Sequence, residues 1–125
     1  MQVSQKEFED IVGQAIDALP EKYGKRIKNL AFVVEVEPDA EQRRQLHLHQ
    51  GQTLYGLYQG VPLTRRGSNY NFVLPDKITI FKGPIEAGCQ TIAQLREQVY
   101  HTVWHEVAHY FGLDHFDIAQ RDDGR

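Results

Sequence analysis

The histidine pattern near the end of the sequence constrains the fold more than any other feature. Residues 105–115 read His-Glu-Val-Ala-His-Tyr-Phe-Gly-Leu-Asp-His, which is H-E-x-x-H followed by x-x-G-x-x-H. Side chains four residues apart lie above one another on an α-helix, so His105 and His109 can present two imidazoles to one metal ion. Gly112 lets the chain leave the helix, and His115 can then return as a third ligand. The pattern therefore predicts a helix that ends in a glycine turn at a metal site.

The glutamate within this pattern indicates catalysis. Glu106 follows the first histidine, so its side chain points sideways and can reach a water at the metal without being a ligand. Three imidazoles leave the fourth tetrahedral position of a zinc ion open, as a catalytic zinc requires. With average residue frequencies, the five-point pattern arises by chance in about one of 10⁵ chains of this length. We therefore predict Glu106 as the general base and one zinc ion per chain, bound by three ligands: His105, His109 and His115.

The composition is that of one globular domain. The chain has 125 residues, of which 41% are hydrophobic and 25% charged, close to the average for folded proteins. This length suits a single core, so we expect one domain over residues 1–125, with a flexible tail after about residue 117.

Charge and hydropathy exclude several classes of partner. Fourteen Lys and Arg residues oppose seventeen Asp and Glu, which gives a net charge of -3 and argues against a nucleic-acid binder with a broad basic face. No run of 18 apolar residues is present, so no membrane-spanning helix is expected. The N-terminus lacks an apolar signal core, and the single cysteine, Cys89, cannot form an internal disulfide. We therefore predict a cytoplasmic protein with neither a nucleic-acid nor a membrane partner.

Apolar spacing predicts a helix at each end of the fold. The first begins after a capping serine, Ser4, and ends before Pro20. The second spans about residues 92–111, begins after a capping threonine, Thr91, and carries the histidine pattern in its second half.

Alternating apolar residues predict three strands between these helices, over residues 30–37, 53–59 and 77–82. Residues 38–51 are polar and are expected to form an exposed connection, and residues 60–76 a long loop. This order of elements favours an α+β fold, in which a small mixed sheet packs against the N-terminal helix and the long C-terminal helix.

The pattern at residues 105–115 resembles that of the zincin metallopeptidases, and its extended form resembles the metzincin branch. The whole chain is similar to a small bacterial family of zincin-like "minimal" metalloproteases. Two further stretches carry this narrower resemblance, Gly-Leu-Tyr-Gln-Gly-Val-Pro-Leu-Thr at 56–64 and Ile-Thr-Ile-Phe-Lys-Gly-Pro-Ile at 78–85. The resemblance implies a zincin-like fold, a zinc-dependent peptidase and a peptide or protein substrate. An extended substrate would pair with an exposed strand edge, and the strand at 77–82 is our candidate because it precedes the active helix. The zincin resemblance implies that this strand lies above the helix.

Two departures from the related families keep other functions open. Metzincins carry a methionine turn beneath the metal, but the only methionine here is Met1. In the small bacterial family the third metal position is often Asp, whereas here it is His115. The alternatives are a zinc hydrolase acting on a non-peptide substrate such as RNA, and a non-catalytic, zinc-stabilised module that binds peptides.

Other residues near the motif are weaker candidates for a role at the metal site. His101 lies one turn before His105 and is either an ordinary polar position or a support for a ligand. Asp114 and Asp117 could accept the second N–H of a ligand histidine, although solvated acids are the expected reading. Packing rather than chemistry is expected for three residues: Cys89, Trp104 and Tyr110.

Overall fold

The protein folds into helices around a small sheet. The structure, a computed structural model, describes residues 1–27, 29–45, 54–60 and 76–113. Within these ranges the helices are α1 (Gln5–Asp17), α2 (Glu21–Gly24), α3 (Ala40–Gln45), α4 (Lys82–Ala87) and α5 (Ile92–Tyr110), and the strands are β1 (Leu30–Glu35), β2 (Gly56–Gln59) and β3 (Asp76–Phe81).

The three strands form a mixed sheet in the order β1-β3-β2. β1 pairs in parallel with β3, and β2 pairs with β3 in the antiparallel direction. The α+β fold with a small mixed sheet is therefore confirmed. The prediction that the strand at 77–82 is the sheet edge is wrong, because β3 lies between the other two strands. β2 is the strand beyond it, on the side away from β1.

One face of the sheet carries the core. Ile78 and Ile80 of β3 are fully buried, and their parallel partners in β1, Phe32 and Val34, pack against the same cluster. The alternate residue Val33 is 38% exposed. In β1 the period of two therefore separates a core-facing side from a more exposed one. The central strand β3 is buried on both faces, because its alternate residues Thr79 and Phe81 are also 0% exposed.

The N-terminal helix α1 begins where the sequence predicts. The Ser4 hydroxyl accepts a hydrogen bond from the Glu7 N–H at 3.1 Å, which satisfies one of the free donors of the first turn. The apolar stripe of α1 is buried in the core together with α5; it consists of Phe8, Ile11, Val12 and Ala15.

The long helix α5 also has the predicted ends. The Thr91 hydroxyl accepts from the Gln94 N–H at 3.1 Å at its start. At its end, Gly112 adopts a φ of 79°, a left-handed conformation that favours glycine. The Gly112 N–H donates to the His109 carbonyl at 2.9 Å, and the Leu113 N–H donates to the Ala108 carbonyl at 3.0 Å. These two bonds close the helix as a Schellman motif and turn the chain where the histidine pattern requires it.

The connection expected over residues 38–51 contains a helix, α3, that the sequence analysis missed. Asp39 and Gln42 exchange two hydrogen bonds, from the Gln42 N–H to Asp39 at 2.7 Å and from the Asp39 N–H to Gln42 at 2.9 Å. This reciprocal capping box fixes the first turn of α3. Gln42 is consequently buried rather than exposed.

Several predicted features lie outside the described residues. They are most of the loop at 60–76, the tail after residue 117 and the third predicted ligand, His115. Among the described residues, no helix combines the length and the apolar character needed to cross a membrane.

Candidate metal centre

The second half of α5 brings three potential ligands together. His105, Glu106 and His109 offer ligand atoms that all lie within 4.8 Å of one another. The two imidazole rings have centroids 4.6 Å apart and are tilted by 69°. Both histidines are half-buried, whereas Glu106 is buried with 7% of its surface exposed. Two accessible imidazoles thus lie beside a carboxylate that is shielded from solvent.

The carboxylate is shielded because β2 lies directly on α5 at this point. A Cβ atom at Gly56 would lie 2.7 Å from Thr102 Cγ2 and 3.1 Å from Glu106 Cγ. Real Cβ atoms essentially never approach as closely as the 2.7 Å to Thr102, so a side chain at position 56 would push the strand or Thr102 aside, and glycine avoids this. Gly56 thereby brings the main chain of β2 within hydrogen-bonding distance of Glu106.

Glu106 is held between this strand and a histidine. Its Oε1 accepts a hydrogen bond from the main-chain N–H of Tyr58 at 2.9 Å. The same oxygen lies 3.3 Å from Nδ1 of His109. The carboxylate therefore has a fixed orientation beside both imidazoles. The sequence analysis missed Tyr58, because a main-chain donor leaves no residue-type signature; the one cue is the glycine two positions earlier.

The donor set fits a zinc ion. Imidazole nitrogens are common zinc ligands in proteins, and those of His105 and His109 lie together here, with the Glu106 carboxylate beside them. A proton on Nδ1 of His109, directed at Glu106, leaves Nε2 of the ring with the lone pair that a metal needs. Among the described residues, no second group of three such side chains lies together.

The fold and this cluster agree with what comparison with known proteins finds. The sequence model of a family of zincin-like metallopeptidases matches residues 27–125. The chain belongs to the zincin-like metallopeptidase family. The match covers the sheet, α4, α5 and the whole histidine pattern, whereas α1 and α2 precede it. A search of curated proteins finds no match.

The remaining candidates near the motif have structural surroundings. His101 is paired with Glu97 of the same helix, Nε2 to Oε1 at 2.8 Å, and is not part of the three-residue cluster. Trp104 and Tyr110 are 2% and 1% exposed, as their expected packing role requires. Cys89 is also buried, and burial raises the pKa of its thiol, so the neutral form is favoured. Asp114 and Asp117 lie outside the described residues.

The contact with Glu106 should be visible in the titration of His109. The hydrogen bond that His109 donates to the Glu106 carboxylate, together with the negative charge of that carboxylate, raises the pKa of His109 against the opposing effect of burial. We expect the pKa of His109 in the metal-free protein to lie above the ordinary histidine value, and Glu106→Gln to lower it. NMR of the imidazole ring protons between pH 5 and 9 measures both values. The same His109 pKa in the wild type and the variant would contradict this electrostatic contact.

Proposed function

We propose that this protein is a zinc-dependent peptidase with Glu106 as its general base and three histidine ligands: His105, His109 and His115. The observation that carries the proposal is the position of Glu106. It is buried, anchored at 2.9 Å to a strand and adjacent to two accessible imidazoles on a helix that ends in a glycine turn. A glutamate with no catalytic role would be expected to lie exposed on the helix surface, without an anchoring hydrogen bond to a strand.

The chemistry follows from the side chains present. When bound, zinc supplies a Lewis acid that polarises a carbonyl group and makes water more acidic. Glu106 takes a proton from the attacking water and then delivers it to the leaving amine. Because its Oε1 is held by Tyr58, the carboxylate does not have to be ordered during the reaction, which lowers the entropic cost of proton transfer.

An extended peptide is the substrate that the sheet suits best. The Tyr55 carbonyl accepts from the Phe81 N–H of β3 at 2.9 Å. Main-chain groups alternate in direction along a strand, so those of Gly56 and Tyr58 point away from β3. β2 rather than β3 is therefore the strand along which a peptide would pair. Because the Tyr58 N–H is held by Glu106, the peptide would pair with the outward groups of Gly56 and with the Tyr58 carbonyl.

Metal content tests the ligand assignment first. We expect about one zinc per chain in untagged wild-type protein purified without chelator. His105→Ala and His115→Ala should bind far less, because each removes one of three ligands. His101→Ala is the matched control, since this histidine lies one turn away on the same helix, outside the cluster, and should retain the full zinc content. Elemental analysis of dialysed samples measures all four.

Other outcomes would select the alternatives. No zinc after addition of excess metal would overturn both the metal site and the peptidase. Zinc binding with cleavage of structured RNA, abolished by His105→Ala, would identify a non-peptide hydrolase. Zinc binding without hydrolysis, together with loss of folding on chelation, would identify a metal-stabilised binding module.

A further inference from the structure

Tyr58 joins three elements of the fold at the candidate site. Its main-chain N–H donates to Oε1 of Glu106 on α5 at 2.9 Å, and its hydroxyl donates to Oδ2 of Asp76 on β3 at 2.5 Å. Its ring packs edge-on against Tyr110 of α5, with centroids 6.1 Å apart. A single residue of β2 is therefore anchored at its backbone, its ring and its hydroxyl.

Asp76, which accepts the hydrogen bond from the Tyr58 hydroxyl, is itself held in place. Asp76 is 3% exposed, and its N–H donates to the Asn29 carbonyl at 3.1 Å, next to the start of β1. A Cβ at Gly60 would overlap the Asp76 carboxylate, so a glycine leaves room for the carboxylate to reach Tyr58. The hydrogen bond from Tyr58 to a charged and buried acceptor belongs to the stronger class of protein hydrogen bonds.

We propose that Tyr58 is a positioning residue for Glu106, and that the bond from its hydroxyl to Asp76 holds its main-chain N–H in place. Both contacts that the described residues make to the Glu106 carboxylate fall on Oε1: the N–H of Tyr58 and Nδ1 of His109. With Oε1 engaged, Oε2 is the oxygen that takes the proton from water. The strand thereby selects which carboxylate oxygen acts. This inference rests on the proposed function, because it assigns a partner to its general base.

The hydrogen bond can be tested without any catalytic reaction. Amide hydrogen exchange of Tyr58 should become about tenfold faster or more in Glu106→Ala, which removes the charged acceptor. Glu106→Gln retains an acceptor oxygen and should preserve most of the protection. The Leu57 amide is the internal control, because it points at β3 and should not change. Equal exchange of Tyr58 in the wild type and Glu106→Ala, or equal acceleration of both amides, would overturn the proposal.

Kinetics of the zinc-loaded protein test the positioning role. Tyr58→Phe keeps the ring and the main-chain N–H but breaks the bond to Asp76. We expect kcat for a peptide substrate to fall about tenfold while KM stays within about twofold and zinc content is unchanged. Tyr55→Phe, a second tyrosine at the start of the same strand, should keep the wild-type kcat.

Variants of Asp76 separate positioning from general structural damage. Asp76→Asn retains an oxygen that can accept from the Tyr58 hydroxyl and should preserve most of kcat, whereas Asp76→Ala should match Tyr58→Phe. If the wild type cleaves peptides and none of these variants lowers kcat, the positioning role is wrong and the proposed function stands. If the wild type binds zinc but cleaves no peptide, the proposed function fails and the positioning role fails with it.

Discussion

Glu106→Gln is expected to lower kcat/KM for peptide cleavage by about 10²–10⁴-fold while about one zinc per chain remains bound. Glutamine has the same shape as glutamate, and its amide oxygen can still accept the Tyr58 N–H that Oε1 accepts in the wild type. It cannot take a proton from water, so it removes the general base and little else. The three proposed ligands, His105, His109 and His115, are unchanged in this variant.

A second glutamate on α5 provides the matched control for this substitution. Glu97 is partly exposed and pairs with His101, outside the three-residue cluster. Glu97→Gln makes the same chemical change on the same helix and should retain wild-type activity. Peptide-library cleavage followed by mass spectrometry, on samples matched for zinc content, compares the three proteins. Equal cleavage by the wild type and Glu106→Gln would exclude Glu106 as the base.

The helices α1 and α5 were predictable because their signals are local, whereas the short helices α2 and α4 were not predicted. Ser4 and Thr91 cap their helices, and Gly112 ends α5, within a few residues of the bonds that they make. Such side-chain and backbone contacts depend only on residues three or four positions apart. The same type of signal is present for α3, where Asp39 and Gln42 form a capping box. Because the residues around them are mostly polar, the segment was predicted to be an exposed connection instead.

The order of the strands could not be predicted in the same way. Which strand lies at an edge depends on pairing between distant segments, and an alternating pattern indicates a buried face rather than a neighbour. β3 precedes α5 in the chain, yet β2 comes between β3 and Glu106. The catalytic role of Glu106 stays a prediction, whereas the sequence pattern put the wrong strand at the edge of the sheet.

The glycines are the sequence signal that could have indicated the right strand. Gly56 and Gly60 bracket β2, and each lies where a Cβ would clash, with Thr102 of α5 in one case and the Asp76 carboxylate in the other. A glycine inside or next to a strand marks close approach by another group. Gly56 therefore indicates close approach of β2 to the helix that carries the histidine pattern, and Gly60 indicates close approach to β3.

Trp104→Ala is expected to lower the free energy of unfolding of the metal-free protein by about 3–5 kcal/mol. Trp104 is 2% exposed, and the centroid of its ring lies 5.1 Å from that of Tyr23 in α2. The ring of Tyr23 also contacts that of Phe111, with centroids 5.3 Å apart. The substitution leaves a cavity between α5 and α2, directly before His105, the first of the proposed ligands. A loss of this size is a large part of the total stability of a domain, which is about 5–15 kcal/mol. Urea unfolding with chelator present measures it without the stabilising effect of bound zinc.

Trp104→Phe separates the loss of packing from the loss of the indole group. The buried indole nitrogen has no hydrogen-bond partner among the described residues, so its removal leaves no acceptor unpaired. Phenylalanine keeps an aromatic ring against Tyr23, and we expect a cost below about 2 kcal/mol. Because zinc binds only the folded chain, adding zinc should restore part of the stability that Trp104→Ala loses. A cost below about 1 kcal/mol for Trp104→Ala would show that α2 does not hold this end of α5, and that the histidines depend on the sheet alone for their position.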